Sequence, residues 1–149
     1  MYLSGPLERI NKEISTEEAN MAAFDVHWVE RWQEQVNKDA VLKVIGRHFT
    51  ANILFEFGSN PYVVSFVEGA IPRIAHNLGP ETTFTLALRG PAETWGKFIQ
   101  PMPPPMYNDL IALSHPLHGR MRVEGDLKVM WQNLRALTWA LDLMRNVKE

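Results

Sequence analysis

The sequence contains no cysteine. Disulfide scaffolds, thiolate zinc sites, iron–sulfur clusters and cysteine nucleophiles are therefore excluded. It also has no stretch approaching the roughly 18 consecutive apolar residues of a membrane-spanning helix. The first residues have neither the basic region nor the apolar region of a secretory signal, so we expect a cytoplasmic protein.

An excess of charge of either sign is also missing. The chain has 15 basic and 17 acidic residues, for a formal net charge of −2. This near balance argues against binding to nucleic acid or to anionic lipid through charge alone. The 149 residues, 46% hydrophobic and 21% charged, have the length and composition of one globular domain. We expect an N-terminal arm at residues 1–15 and a single domain at residues 16–149.

Helical periodicity appears first along the chain. Apolar side chains recur there at intervals of three and four residues, at Met21, Phe24, Trp28 and Trp32. This spacing predicts an amphipathic helix over residues 16–38. A shorter helix is expected at residues 39–47.

Alternation of apolar and polar residues then predicts β-structure. Strands are expected at residues 51–57, 62–67, 71–76, 82–89 and 120–124. The Gly-Ser-Asn-Pro sequence at residues 58–61 predicts that the first two strands form an antiparallel hairpin. Pro72 cannot donate a hydrogen bond to a neighbouring strand, so the third strand is predicted to lie at an edge of the sheet.

The C-terminal half begins with a predicted helix at residues 92–99. Four prolines between residues 101 and 105 then predict a stiff, extended crossover, followed by a short helix at residues 109–114. Asp126 can cap a last helix of about twenty residues, roughly 30 Å long. Its apolar stripe has a 3-4-3-4-3 spacing and consists of Leu127, Met130, Leu134, Leu137, Leu141 and Met144.

No catalytic motif is evident. The serines lack the G-x-S-x-G elbow, and the glycines form neither a Walker loop nor a dinucleotide-binding fingerprint. His115 and His118 could contribute to a metal site, but two surface loop histidines are the favoured interpretation, because no carboxylate lies at ligand spacing beside them. We therefore expect a protein without enzymatic activity, metal or cofactor. An enzyme that uses these histidines or Asp109 is the least favoured alternative.

Two groups of side chains suggest binding. Flexible methionines, which line cavities that accept varied apolar shapes, concentrate in the C-terminal third, although simple core filling is the ordinary alternative. Arg120 and Arg122 share a face of the predicted fifth strand, with Lys128 nearby. These three cations are candidates for binding an anionic head group or a phosphate, and a solvated strand face is the alternative.

Residues 119–137 resemble the closing segment of the sterol carrier protein type-2 family. They combine a short strand, the Gly125-Asp126 turn and an apolar final helix rich in leucine. The order of the preceding strands and of the helix with Trp95 and Phe98 agrees with that family, so the resemblance covers about residues 39–145. The C-terminus lacks a peroxisomal tripeptide, so a stand-alone bacterial member fits the sequence better.

The resemblance implies an α/β (α+β) fold in which a five-stranded, mostly antiparallel sheet carries helices over one face. The helix at residues 16–38 would be an addition at the front. An apolar tunnel between sheet and helices would bind and transfer a fatty acid, an acyl-CoA or a sterol-like molecule without chemistry. With two methionines taken from the cluster described above, the expected ligand-binding set is Trp95, Phe98, Met102, Met106, Met121, Met130, Leu134, Leu137 and Leu141.

A protein-interaction module is the main alternative. Large aromatic side chains are favoured as interface anchors, and Trp131 and Trp139 lie off the main stripe of the predicted last helix. The stiff segment at residues 101–105 could also plug the tunnel. A homodimer with a filled tunnel would fit the same sequence.

Overall fold

A computed structural model describes residues 23–117 and 119–147. The helices are α1 (Val26–Lys38), α2 (Ala40–Ile45), α3 (Ala92–Phe98), α4 (Leu110–Leu113), α5 (Leu127–Gln132) and α6 (Leu134–Asp142), followed by a 3₁₀ turn at Leu143–Asn146. The strands are β1 (Ala51–Phe57), β2 (Asn60–Val67), β3 (Ala70–Ala75), β4 (Leu86–Gly90) and β5 (Arg122–Gly125). The predicted arm at residues 1–15 and the first residues of the predicted helix at 16–38 lie outside the described residues.

The five strands form one mixed sheet in the order β3-β2-β1-β4-β5. The predicted hairpin is confirmed, because β1 and β2 pair antiparallel with Ile53 opposite Val64. The predicted edge position of the strand with Pro72 is also confirmed. In the described part of the chain, β1 and β4 pair in parallel, with Phe55 opposite Leu88. The expected α/β fold with a mostly antiparallel sheet is thus present.

The main core lies between one face of the sheet and the helices. Alternation along β1 directs Phe55 and Phe57 to this face, where both are fully buried. The Trp32 ring of α1 lies 5.2 Å from Phe55, and the Trp95 ring of α3 lies 4.7 Å from Phe57. The indole of Trp32 also donates a hydrogen bond to the carbonyl of Ala140, at 2.8 Å, which ties α1 to α6. Aromatic side chains therefore connect the sheet to helices from both ends of the chain.

The opposite face of the sheet is covered in part by the connection between β3 and β4. Leu54, Val63 and Ala87 are buried there, with Leu78 of this connection packed against them. The predicted strand at residues 82–89 starts only at Leu86, which corrects its N-terminal limit. A turn precedes the strand. The backbone N–H of Thr82 donates to the carbonyl of Gly79, and the Thr82 hydroxyl accepts a hydrogen bond from the backbone N–H of Gly79.

The prediction of a single long C-terminal helix is wrong. The structure has α5 and α6, which meet at Asn133 (φ −116°). The Asn133 side-chain amide donates to the carbonyl of Val129 at 2.9 Å, and the Asn133 backbone N–H shares that acceptor at 3.2 Å. Asparagine side chains compete in this way with the helical hydrogen bonds. Met130 and Leu137 of the predicted apolar stripe are buried on either side of the break, whereas Leu127, at the start of α5, is 45% exposed.

Leu137→Ala and Leu127→Ala test how far the predicted apolar stripe reaches into the core. Leu137→Ala should lower the free energy of unfolding by about 2–5 kcal/mol, because it leaves a cavity in the core. Leu127→Ala should lower it by about 1 kcal/mol or less, because nearly half of the side chain already faces water. Urea unfolding of both variants measures the difference. Equal losses would contradict the difference in burial between the two leucines.

Candidate functional site

Most of the predicted ligand-binding residues come together beneath the helices. Six are buried in the main core cluster and come from α3, from the segment before β5, and from α5 and α6: Trp95, Phe98, Met121, Met130, Leu137 and Leu141. Leu134 is half-buried and packs against the same cluster. We call these seven residues the apolar cluster. These side chains are almost entirely apolar.

Met102 and Met106 are placed differently. Both lie in the proline-rich crossover, where Met102 is 88% exposed and Met106 is half-buried with φ +73°. Neither belongs to the buried core. Arg145 fixes this crossover at both ends, because its guanidinium donates to the carbonyls of Phe98 and Asn108, each at 2.8 Å. Sequence patterns gave no sign of this contact between residues far apart in the chain.

A second feature is a polar pocket of about 370 Å³ beside the apolar cluster. It lies where the carboxyl ends of the parallel strands β1 and β4 meet, with Phe57 opposite Gly90. We call it the arginine pocket, and it is lined by Glu56, Gly58, Arg89, Gly90, Pro91, Gly119, Arg120 and Arg122. The indole of Trp95 donates to the carbonyl of Glu56 at 2.9 Å. The pocket therefore backs directly onto the apolar cluster.

Arg89 is held in the pocket by two carboxylates. Its guanidinium donates to Glu56 on β1 and, at 3.1 Å, to Glu124 on β5. The hydrogen bond to Glu56 is the main reason that the pKa of Arg89 is raised above its ordinary value, and burial opposes it. Arg122 reaches the other oxygen of Glu124 at 3.4 Å. These ion pairs connect three adjacent strands on the outer face of the sheet.

The three predicted head-group cations separate in the structure. Arg122 lines the arginine pocket from β5, and Arg120 lines it from the segment that precedes this strand. The fifth strand therefore starts two residues later than predicted. Lys128 lies beyond Gly125, at the other end of β5, and does not line the pocket. Arg89 lines the pocket in place of Lys128. In the sequence, only its position at the end of a predicted strand pointed to this role.

Arg120 differs from its neighbours in its surroundings. Its guanidinium carbon lies 4.6 Å from the centre of the Tyr107 ring, a cation–π contact. One of its terminal nitrogens, Nη1, is buried and has no hydrogen-bond partner among the described residues. A guanidinium held by an aromatic ring presents its remaining donors in a fixed fork, which suits a carboxylate or a phosphate.

Three solved structures resemble this arrangement of sheet and helices. A crystal structure of sterol carrier protein 2 matches with a TM-score of 0.66 and 12% identity, over 84% of this chain and 98% of that one. The chain has the sterol carrier protein 2 fold. A solution structure of a conserved hypothetical protein from Thermus thermophilus, described as a candidate sterol carrier protein, has a TM-score of 0.64 and 10% identity, over 85% and 90% of the two chains.

A third similar structure is that of UbiJ-SCP2, a ubiquinone synthesis protein. It has a TM-score of 0.51 and 16% identity, over 76% of this chain and 84% of that one. No protein-family model matches the chain, and no curated protein matches its sequence. The likeness therefore lies in the fold, and the expected resemblance to sterol carrier proteins is confirmed at that level.

On this sterol carrier protein 2 fold, the outer side of α5 and α6 has a second cleft of about 570 Å³. Trp131 is 58% exposed there and Trp139 is 38% exposed. The indole of Trp139 donates to the carboxylate of Asp39 at 3.1 Å, which joins α6 to the start of α2. These are the two tryptophans that the sequence places off the apolar stripe.

The candidate catalytic residues have structural roles or stand apart. Asp109 caps α4 by accepting the backbone N–H of Ala112 at 2.8 Å. His115 accepts the N–H of Leu117, and His118 lies outside the described residues. Across residues 23–117 and 119–147, no three histidine or carboxylate side chains are grouped to hold a metal ion. In the same part of the chain, no helix has the length and hydropathy needed to cross a bilayer.

Arg89→Gln tests the ion pairs that hold the arginine pocket together. It should lower the free energy of unfolding by about 1 kcal/mol, a modest value because the three side chains are partly exposed and water screens them. In about 1 M NaCl the substitution should cost less stability, because salt already screens the ion pairs of the wild-type protein. Urea unfolding at low and high salt measures it, with Arg73→Gln on β3 as the control. A loss independent of salt would contradict an electrostatic role.

Proposed function

We propose that the protein binds and transfers an apolar ligand, such as a fatty acid, an acyl-CoA or a sterol-like molecule, without catalysing a reaction. The observation that carries this proposal is the apolar cluster, in which methionine, leucine and aromatic side chains converge between the sheet and α3, α5 and α6. The sterol carrier protein 2 fold supports it, because a solved structure of that name shares nearly the whole architecture.

The chemistry of the apolar cluster suits such a ligand. Burial of a C16 chain at about 0.8 kcal/mol per CH₂ would supply roughly 12 kcal/mol before the costs of binding. A carrier therefore needs few polar contacts, which fits a sequence without a catalytic motif. Methionines such as Met121 and Met130 can repack around chains of different shape.

Met130→Asp should abolish uptake of the neutral fluorescent probe N-phenyl-1-naphthylamine, because a carboxylate would stand in the apolar cluster. Val44→Asp is the matched control, since Val44 is exposed on α2 and should leave uptake unchanged. Displacement of the probe by fatty acids of increasing length would report the ligand itself.

Should Met130→Asp fail to fold, Leu134→Trp offers a second test at a half-buried position. The larger side chain should fill space beside the cluster and weaken probe binding severalfold, while circular dichroism checks that the fold is kept. A folded Met130→Asp variant with normal uptake, or normal uptake in Leu134→Trp, would contradict the proposed position of the ligand.

A homodimerising interaction module is the second candidate, and the cleft with Trp131 and Trp139 is the observation that favours it. Exposed tryptophan is uncommon on a monomer surface and frequent at interface anchors. This function predicts a dimer whose fraction grows with concentration in sedimentation velocity. Trp131→Ala should then shift the protein to the monomer. Sedimentation as a monomer at both low and high micromolar concentration would contradict it.

A further inference from the structure

The charges around the arginine pocket do not balance locally. Among the described residues, three cations there have a carboxylate partner: Arg89 pairs with Glu56 and Glu124, Arg122 with Glu124, and Lys97 with Glu93. Arg120 is the fourth cation, and it has no carboxylate partner among them. It shares the Tyr107 ring with Lys97, whose nitrogen lies 5.1 Å from the ring centre. The uncompensated positive charge is therefore located at Arg120.

The position of Arg120 makes this imbalance costly. Its Nη1 atom is buried, so neither solvent nor a described residue satisfies that donor. A buried donor that lacks a partner costs more free energy than an ordinary hydrogen bond gains, and a charged donor costs most. An anionic oxygen bound to the Arg120 guanidinium would neutralise the charge, and an oxygen that reaches Nη1 would also supply the missing acceptor.

The pocket has room for such a group. Gly58, Gly90 and Gly119 line it without side chains. At Gly119 a Cβ atom would have no neighbour within 4 Å, so the pocket is open on that side. Arg122 is 71% exposed, and its ion-pair partner among the described residues is Glu124 at 3.4 Å, so it is free to turn toward an incoming anion.

We propose that Arg120 and Arg122 bind the carboxylate or phosphate of an anionic amphiphile, whose chain enters the apolar cluster. The inference rests on the proposed function and narrows its ligand class, because a neutral sterol has no group for this site. Two adjacent residues join the pocket to the apolar cluster. Arg120 lines the pocket, and Met121 is buried in the apolar cluster.

The test compares tetradecanoate with tetradecan-1-ol, which has the same chain without the charge. Both compete with N-phenyl-1-naphthylamine for the full-length protein, below their aggregation concentrations. Tetradecanoate should bind at least about tenfold more tightly, the effect of one or two hydrogen bonds to a charged group. Arg120→Gln should remove this preference, so that the variant binds tetradecanoate no more tightly than it binds tetradecan-1-ol. Arg73→Gln, on the opposite edge of the sheet, should keep the preference.

Inorganic phosphate separates a lipid head group from a free anion. In an NMR titration, phosphate should shift the amide signals of Gly90, Gly119 and Arg122 in the wild type and not in Arg120→Gln. These shifts without binding of either C14 ligand would support the anion site and overturn the proposed lipid function. Equal affinity for both ligands, with no phosphate shifts, would overturn the anion site and leave the lipid function standing.

Discussion

Parallel pairing of β1 with β4 brings Phe57 level with Gly90, and the chain continues from β4 straight into α3. This arrangement places the Trp95 ring of α3 4.7 Å from the Phe57 ring. The indole N–H of Trp95 also donates a hydrogen bond to the carbonyl of Glu56. The core between sheet and helices, the position of α3 and the floor of the arginine pocket all depend on this pair of strands.

Alternation along the same strands places apolar side chains on one face of the sheet and charged side chains on the other. On β1, Phe55 and Phe57 enter the core while Glu56 faces outward, and on β4 Leu88 enters the core while Arg89 faces outward. The apolar cluster and the ion pairs therefore lie on opposite sides of one sheet and meet at its end. A molecule with a charged head and a long apolar chain has the matching distribution of polarity.

Local signals predicted the parts of the fold that local interactions decide. Turn residues predicted the hairpin, Pro72 predicted the edge strand, and Asp126 was predicted as a helix cap. Contacts between distant residues were not predictable in this way: Arg89 finds Glu56 and Glu124 only after the strands pair, and Arg145 reaches Asn108 only in the folded chain. The break at Asn133 was missed because the regular spacing of leucines outweighed a single side-chain amide.

The central claim is that the protein holds an apolar ligand between its sheet and its helices. Native mass spectrometry of freshly purified protein, followed by organic extraction and lipid analysis, tests it most directly. We expect a fatty acid, an acyl-CoA or another anionic amphiphile bound at close to one per chain. A mass equal to that of the bare chain, unchanged after incubation with C12 to C18 fatty acids and their acyl-CoA esters, would contradict it.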